Sequence, residues 1–475
     1  MILLLMLTFP LMGALILGIF PFNNRGFNRF IVTLSVSTVF ICSLYVWIHY
    51  PAGQSGYMDG EFFSLSWTWF TSPFQARFAL GVDGISVVFA TLTSLLALLS
   101  VGYSIVHEHE HERDYFICQL LLLTAMLGVF LARDMVLFYL FWESILIPMY
   151  FLIGIWGGNR RVYASLKFVL FTLVGSLLML VSIVVLYSYQ AHQFQNASML
   201  ITDFYRISIP DTSVHLLYFG FPVPVGTLLF LSFSLAFAIK TPLFPVHTWL
   251  PDAHVEAPTT GSVILAGILL KVGIYGFIRL LIPIFPLQSV AWGATFACLG
   301  VLGIIYGGLL AWAQQDIKKL VAYSSISHLG FVILGLFALE QTSVTGGLLQ
   351  GAIHGINTGA LFLMVGMVYE RTHNRSIREV GGLADEMPVW SVFFVVFSLA
   401  SIGLPATNGF VGEFLILSSS FGTYSLLTIL GASGVIISAI YMLYLLRRCV
   451  FSELTDSVEG ISSLSSLEIS CLVPL

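Results

Sequence analysis

Apolar stretches of about twenty residues recur along this chain, and about twenty residues is the length a helix needs to cross the hydrocarbon core of a bilayer. They fall at about 2–20, 30–48, 85–106, 115–133, 135–156, 166–188, 222–248, 259–281, 291–313, 321–339, 344–369, 387–418 and 424–446. The first has no basic residues before it and no small-residue cleavage site, so it is expected to stay as a helix rather than be removed as a signal peptide. Residues 467–475 open a further stretch that stops far short of spanning length, as a truncated fourteenth helix would. The expected fold is an all-α polytopic membrane protein of thirteen complete transmembrane helices plus the start of a fourteenth. Over 475 residues, 58% hydrophobic and 9% charged side chains cannot furnish a water-facing surface, which excludes a soluble enzyme.

The basic residues test that helix count. Loops after odd-numbered spans hold Arg25, Arg29, Arg113, Arg160, Arg161, Lys318, Lys319, Arg371, Arg375, Arg378, Arg447 and Arg448. The opposite side holds Arg77, Arg133, Arg206 and, at a helix end, Arg279. A missed or invented span would scatter these residues over both sides, and by the positive-inside rule the N-terminus lies outside.

Two spans carry helix breakers in their interiors: the seventh, with Pro242, Pro245 and Pro251, and the twelfth, with Pro405, Asn408 and Gly409. They lie five helices apart, so helices four to eight and nine to thirteen run in opposite senses. Paired broken helices of this kind point to inverted transporter repeats. The chain then divides into a three-helix segment (1–114), a five-helix repeat (115–281), an inverted five-helix repeat (282–448) and a C-terminal segment (449–475).

A charge at the bilayer centre costs about 2.5 to 3.5 kcal/mol on insertion scales, so intramembrane ionisable groups are functional candidates. Glu143 lies well inside span five, Lys240 immediately precedes the first break, Lys271 falls mid-way along span eight, and Glu413 follows the second break. Histidines add candidate relays that titrate near neutral pH: His247 and His254 about the first break, His328 in span ten and His354 in span eleven. These groups are what moving protons or small cations across lipid requires. In the expected mechanism Glu143 and Lys240 form a pair whose separation lowers the proton affinity of the lysine. The released proton passes by water and His328 to Lys271, then toward Glu413.

Other chemistries find no support. Cys42, Cys118, Cys298, Cys449 and Cys471 stand singly, with no spacing for a disulfide framework, cluster or zinc site. The run from His107 to Asp114 lacks H-E-x-x-H and reads as a solvated loop, so no metal site is expected. With 19 Lys and Arg against 24 Asp and Glu there is no basic stripe for nucleic acid, and no nucleotide-binding or hydrolase motif occurs. Energy for transport must therefore arrive from partner chains.

The run from Lys240 through His247, Trp249 and Pro258 to Lys271, together with Asp316 to His328, closely resembles the antiporter-like subunits of respiratory complex I. Within that family, Phe141-Trp142-Glu143, Ile147 to Tyr150 and Gly412-Glu413-Phe414 resemble chain M, called subunit 4 in mitochondria. The resemblance implies fourteen helices, an inverted five-helix repeat, and proton pumping powered by NADH-to-quinone electron transfer elsewhere in the complex. It further implies flanking chains L and N, no cofactor in this chain, and FMN, iron-sulfur clusters, NADH and quinone held by partner subunits. It suggests roles for Glu143, Lys240, Lys271 and Glu413, and places Lys167, His247, His328 and His354 on the family's polar axis. A bacterial cytoplasmic membrane is preferred over a mitochondrial inner membrane. The alternative function is a subunit of a multi-chain sodium/proton antiporter, built on the same module.

Overall fold

The computed structural model describes residues 1–20, 24–51, 62–107, 110–209, 213–215 and 222–475. Among these, eleven helices are long and apolar enough to cross a membrane. Two shorter apolar helices, Val225–Lys240 and Pro388–Ile402, stand where the seventh and twelfth spans are expected. Aspartate or asparagine caps fix several starts: Asn24, Asp83, Asp134 and Asp316 each accept backbone N–H groups of the first turn that the helix itself leaves unpaired.

Both expected breaks are present. Val225–Lys240 ends, the chain loses helical form over 241–248, and Trp249–Glu256 resumes. Pro242 has no N–H to return to Ala238, so the carbonyl of Ala238 is taken instead by the N–H of Leu243 at 2.8 Å. That leaves the Ile239 carbonyl, which accepts from Trp249 Nε1 at 2.9 Å and ties the two halves together. At the second break Pro388–Ile402 closes on Gly403 in the left-handed conformation, with φ of 77°, before Asn408–Thr423 begins. Gly409 packs so closely on the first half that a Cβ there would lie 1.9 Å from the Ala400 carbonyl oxygen, which only glycine allows.

Three features depart from the expected pattern. The fifth span is interrupted between Met135–Ser144 and Leu146–Trp156. Pro148 cannot donate to Ser144 four residues earlier, so the interruption falls at Ile145, two residues after Glu143. The helix Thr259–Ile284 contains two wide π turns, Leu265–Leu269 and Phe277–Leu281. The fold is also not wholly helical: a hairpin of Phe62–Phe70 against Ala76–Val82 caps one end, with Trp67 stacked on its cross-strand neighbour Phe78 at 4.7 Å. Ser213–His215 pairs with Pro222–Pro224 in a second, shorter one.

At the end that carries most of the basic residues, the chain after Cys449 folds back across the helix ends to a seven-residue helix, Ser466–Leu472, started by a Ser465/Glu468 capping box. Arg371 grips this segment through Glu468, at 2.7 and 2.8 Å, and through the Ser462 and Ser463 carbonyls. In the histidine- and glutamate-rich run, Glu108 and His109 lie outside the described residues. Glu112 is not solvated: it is buried and pairs with Arg29 at 2.6 Å.

Candidate functional site

The helix that carries Lys271 lies at the centre of the fold and is buried almost throughout. Its first wide turn sends the Leu270 N–H back five residues to the Leu265 carbonyl, which loosens the regular ladder just before Lys271. The Lys271 ammonium turns into this gap and donates to the Ala266 carbonyl. Gly273, half a turn on, presses against the first break, where a Cβ would lie 2.2 Å from Thr241 Oγ1 and 2.9 Å from the Phe237 carbonyl. The lysine helix thus packs directly on the residue that follows Lys240.

From Lys271 a line of titratable groups runs to the second break. Lys271 Nζ is 2.7 Å from His354 Nδ1 on the helix Gln341–Thr372. The His354 ring centre is 5.7 Å from that of His328 on Ile317–Phe337. His328 Nδ1 is in turn 3.3 Å from Glu413 Oε1, and all four side chains are buried. Gln350 Nε2 donates to the same Glu413 oxygen at 3.1 Å. Ser401 and Tyr441 place hydroxyls 3.2 and 3.4 Å from His328 Nε2. The imidazole therefore has an acidic partner on one nitrogen and hydroxyl partners on the other, the arrangement that lets a ring take a proton on one side and give one up on the other. Close to this line Asn357 and Asn408 exchange reciprocal amide hydrogen bonds, both 3.1 Å, across the start of the second half-helix.

This ordering corrects one expectation. His354, not His328, is the histidine next to Lys271; His328 is the partner of Glu413.

Lys240 forms a second centre. It is buried, makes no hydrogen bond to the protein, and lies over the rings of Trp142 and Phe168 at 5.3 and 5.6 Å. Trp142 immediately precedes Glu143, whose carboxylate acts on the lysine electrostatically without closing to ion-pair contact. The aromatic faces offer the ammonium a weak cation site in place of water. An unlatched lysine beside a kinked glutamate helix is a group whose charge is held by distance rather than by a bond.

Lys167 and His247 stand apart from both centres. Lys167 pairs with Asp252 at 2.7 Å, and both side chains keep some exposure. His247 packs its ring against Phe244 and Tyr306 at 5.7 and 5.6 Å. His254 is fully buried, stacked on Phe362 at 4.6 Å, with neither ring nitrogen hydrogen-bonded. Lys318, expected in a loop, is buried and donates to the Ala257 carbonyl at 2.6 Å. Among the described residues no three His, Cys, Asp or Glu side chains gather as metal ligands would.

With this geometry in place, comparison with known proteins is direct. The sequence profile described as NADH:quinone oxidoreductase/Mrp antiporter, TM, matches residues 132–440, well over half of the chain and both breaks. The chain belongs to that family. Among its relatives, NADH-quinone oxidoreductase subunit M of Rhodobacter capsulatus is 46% identical over 84% of this chain and 77% of its own length. The same subunit of Rickettsia prowazekii is 39% identical over 98% of this chain and 91% of its own length. Among solved structures, a chain of respiratory complex I from Thermus thermophilus with bound NADH superposes with a TM-score of 0.87 at 32% identity, covering 100% of this chain and 93% of that one. A chain of the archaeal membrane-bound sulfane sulfur reductase superposes with a TM-score of 0.81 at 25% identity, covering 99% and 74%. Among members of this antiporter-like family, this chain is most readily set beside the subunit M proteins of NADH:quinone oxidoreductase.

Gln350, Ser401 and Tyr441 complete the line at His328 and Glu413 and escape sequence reasoning, as does Asp252 beside Lys167 outside it. Neutral polar residues are common in membrane helices, and nothing in their spacing marks them. For Asp252 a signal does exist: it follows Pro251 at the first break, four residues beyond Thr248, where an acid and Lys167 can meet across neighbouring helices.

Proposed function

We propose that this chain is the proton-translocating membrane subunit M of NADH:quinone oxidoreductase, driven by electron transfer in partner subunits. What carries the reading is the buried line Lys271, His354, His328, Glu413, in which each group is in contact with, or one ring away from, the next. A proton entering on Lys271 is shared with His354, handed to His328 and released by way of Glu413. Each step depends on local charge and no covalent intermediate is needed. Glu143 and Lys240 form the loading pair: as the kinked Glu143 helix moves toward or away from Lys240, the lysine gains or loses its counter-charge and binds or releases a proton.

In this reading each interrupted helix counts as one crossing, which gives thirteen spans. Helices four to eight and nine to thirteen are inverted repeats, with the boundaries given above. The N-terminus faces outward, chains L and N flank this one in a bacterial cytoplasmic membrane, and NADH, FMN, iron-sulfur clusters and quinone sit in other subunits. Lys167 and His247 line the approaches rather than the central line.

The test is Lys271→Met in the intact complex in its native membranes, with NADH-driven quinone reduction, the resulting pH gradient and sodium movement followed together. Assembly on a native gel with a loss of about tenfold or more in both turnover and proton pumping is the expected result. Pumping at the unmodified rate would overturn the proton path. Loss of sodium movement with NADH turnover untouched would instead make the chain an antiporter subunit.

A further inference from the structure

One step of the line from Lys271 to Glu413 is not made by direct contact. The His354 and His328 rings are centred 5.7 Å apart and inclined at 55°, and three of their four nitrogens have partners elsewhere. His354 Nδ1 meets Lys271, His328 Nδ1 meets Glu413, and His328 Nε2 meets the hydroxyls of Ser401 and Tyr441. His354 Nε2 is left, buried and without a hydrogen bond from the protein. A ring nitrogen in that condition is costly unless a water meets it.

The two histidines share a space of the right size. Both line a cavity of about 10 Å³, together with Gln350, Asn357 and Ser401, which is room for about one water. Gln350 brings a second buried atom with no partner in the protein, its carbonyl Oε1. Apolar cavities stay dry, whereas small polar ones with unmatched groups hold water.

Ser401 connects this space to the next ring. Several serines in the helices of this chain return their hydroxyl to a carbonyl of the preceding turn, as Ser324 does to Val321, Ser433 to Leu430 and Ser438 to Val435. Ser401, in the last turn of Pro388–Ile402, turns instead to His328 Nε2 at 3.2 Å. The sense of that bond follows from Glu413. Its Oε1 faces both Gln350 Nε2 and His328 Nδ1, so an ionised carboxylate there puts the ring proton on Nδ1. Nε2 is then an acceptor and the Ser401 hydroxyl its donor, with lone pairs left over to accept from a water in the cavity.

We propose that the cavity holds one water that bridges His354 Nε2 to Ser401 Oγ, and that Ser401 is the hydroxyl through which the proton reaches His328. This rests on the proton path proposed above and supplies the step that path leaves open. His354 gives its Nε2 proton to the water, the water gives one of its own to Ser401, and Ser401 gives its hydroxyl proton to His328 Nε2. His328 in turn releases its Nδ1 proton to Glu413 Oε1. Each N–H or O–H bond that breaks is matched by one that forms, and the water and the hydroxyl finish as they began. A side chain that merely packs beside the second break would need the shape of Ser401 but not its hydroxyl.

The experiment uses the intact complex in its native membranes and compares Ser401→Thr with Ser401→Val, two side chains of nearly the same shape of which only the first keeps a hydroxyl. With both assembled on a native gel, NADH-driven proton pumping is expected to be about tenfold lower in Ser401→Val than in Ser401→Thr. Equal pumping in the two, at whatever rate, would overturn the proposal. If the added bulk prevents assembly, Ser401→Ala is set against Ser398→Ala, which alters a buried serine one turn earlier on the same helix. Pumping is then expected to fall in the first alone, and equal rates would count against the relay. Failure of the underlying path shows itself separately, as undiminished pumping in Lys271→Met; failure of the relay alone leaves Lys271→Met deficient while the threonine and valine variants behave alike.

Discussion

Lys271 Nζ and His354 Nδ1 stand 2.7 Å apart where neither side chain has access to solvent, so a single proton serves both nitrogens. If the lysine holds it, the ammonium donates to a neutral imidazole; if the ring holds it, the ring donates to a neutral amine. The pair is a junction between the central helix and the line to Glu413. Replacing His354 by glutamine keeps a hydrogen-bonding side chain but removes the ability to carry a proton. His354→Gln and His354→Ala are therefore expected to lower NADH-driven proton pumping alike, by about tenfold. A pumping rate in His354→Gln close to the unmodified one would show that the ring only fills space.

Lys240 tests a different property. Its ammonium has aromatic rings around it and no hydrogen bond to the protein, and its proposed task is to let its proton go. Arginine preserves the positive charge and the ring stacking but does not deprotonate in proteins. Lys240→Arg is expected to be as deficient in pumping as Lys240→Ala, with the complex assembled in both. Full pumping with arginine would mean that the charge alone matters.

The four central charges are legible in the sequence because an ion inside an apolar run is costly and so stands out. What becomes of each charge is not legible. Lys167 and Lys271 sit in equally apolar surroundings, yet one meets Asp252 near the boundary and the other meets His354 in the core. That difference is set by which helix packs opposite, information that lies far away in the sequence. Both breaks are visible because proline and glycine act on their own neighbours. The wide turns on either side of Lys271, Leu265–Leu269 and Phe277–Leu281, carry no such local marker. Of the line to Glu413, the histidines are visible and their order is not, since order is a matter of tertiary packing.

The fit at Gly273 makes a prediction of its own. A side chain there would collide with Thr241 and the Phe237 carbonyl, both part of or next to the first break. Gly273→Val is expected to destabilise the subunit by about 1 to 3 kcal/mol or more, seen as a lower midpoint of thermal unfolding in detergent and a smaller yield of assembled complex. Gly18, which has open space around its Cβ position, provides the control: Gly18→Val is expected to assemble normally.

Arg371 and Glu468 pin the C-terminal segment across the helix ends, with the carboxylate 1% exposed and the guanidinium side chain 14%. Removing either partner leaves the other buried without its counter-charge, Arg371 with backbone carbonyls and Glu468 with its Ser465 cap bonds. Arg371→Ala or Glu468→Ala is expected to cost about 3 to 5 kcal/mol of attachment, with the double substitution costing less than the sum. Limited proteolysis between residues 450 and 465 reads the effect: cleavage appears in the single variants and not in the unmodified chain. Equal resistance in all of them would show that the segment is held by its apolar contacts alone.

Asp134 lies between two spans, and burial lifts its carboxyl from 3.8 to about 6, against the opposing pull of N–H donors from Arg77, Leu137 and Val136. Between those values the folded state holds a proton that the unfolded state has lost, so its contribution to stability declines as pH rises from about 4 to about 6. Asp134→Asn is expected to flatten thermal stability over that window while keeping the cap on the helix Met135–Ser144. An unchanged slope would place the pH dependence in other groups.

The wide turn Leu265–Leu269 amounts to one residue of surplus length in an otherwise regular helix. Each residue advances an α-helix by about 100°, so every side chain beyond the turn is swung by that angle relative to those before it. Lys271 points at His354, rather than into a neighbouring packing face, because of that single extra residue. The segment is accordingly more forgiving of a changed side chain than of a lost one: deleting any one of the five residues would re-aim the lysine and the whole run to Ile284 without altering a charge.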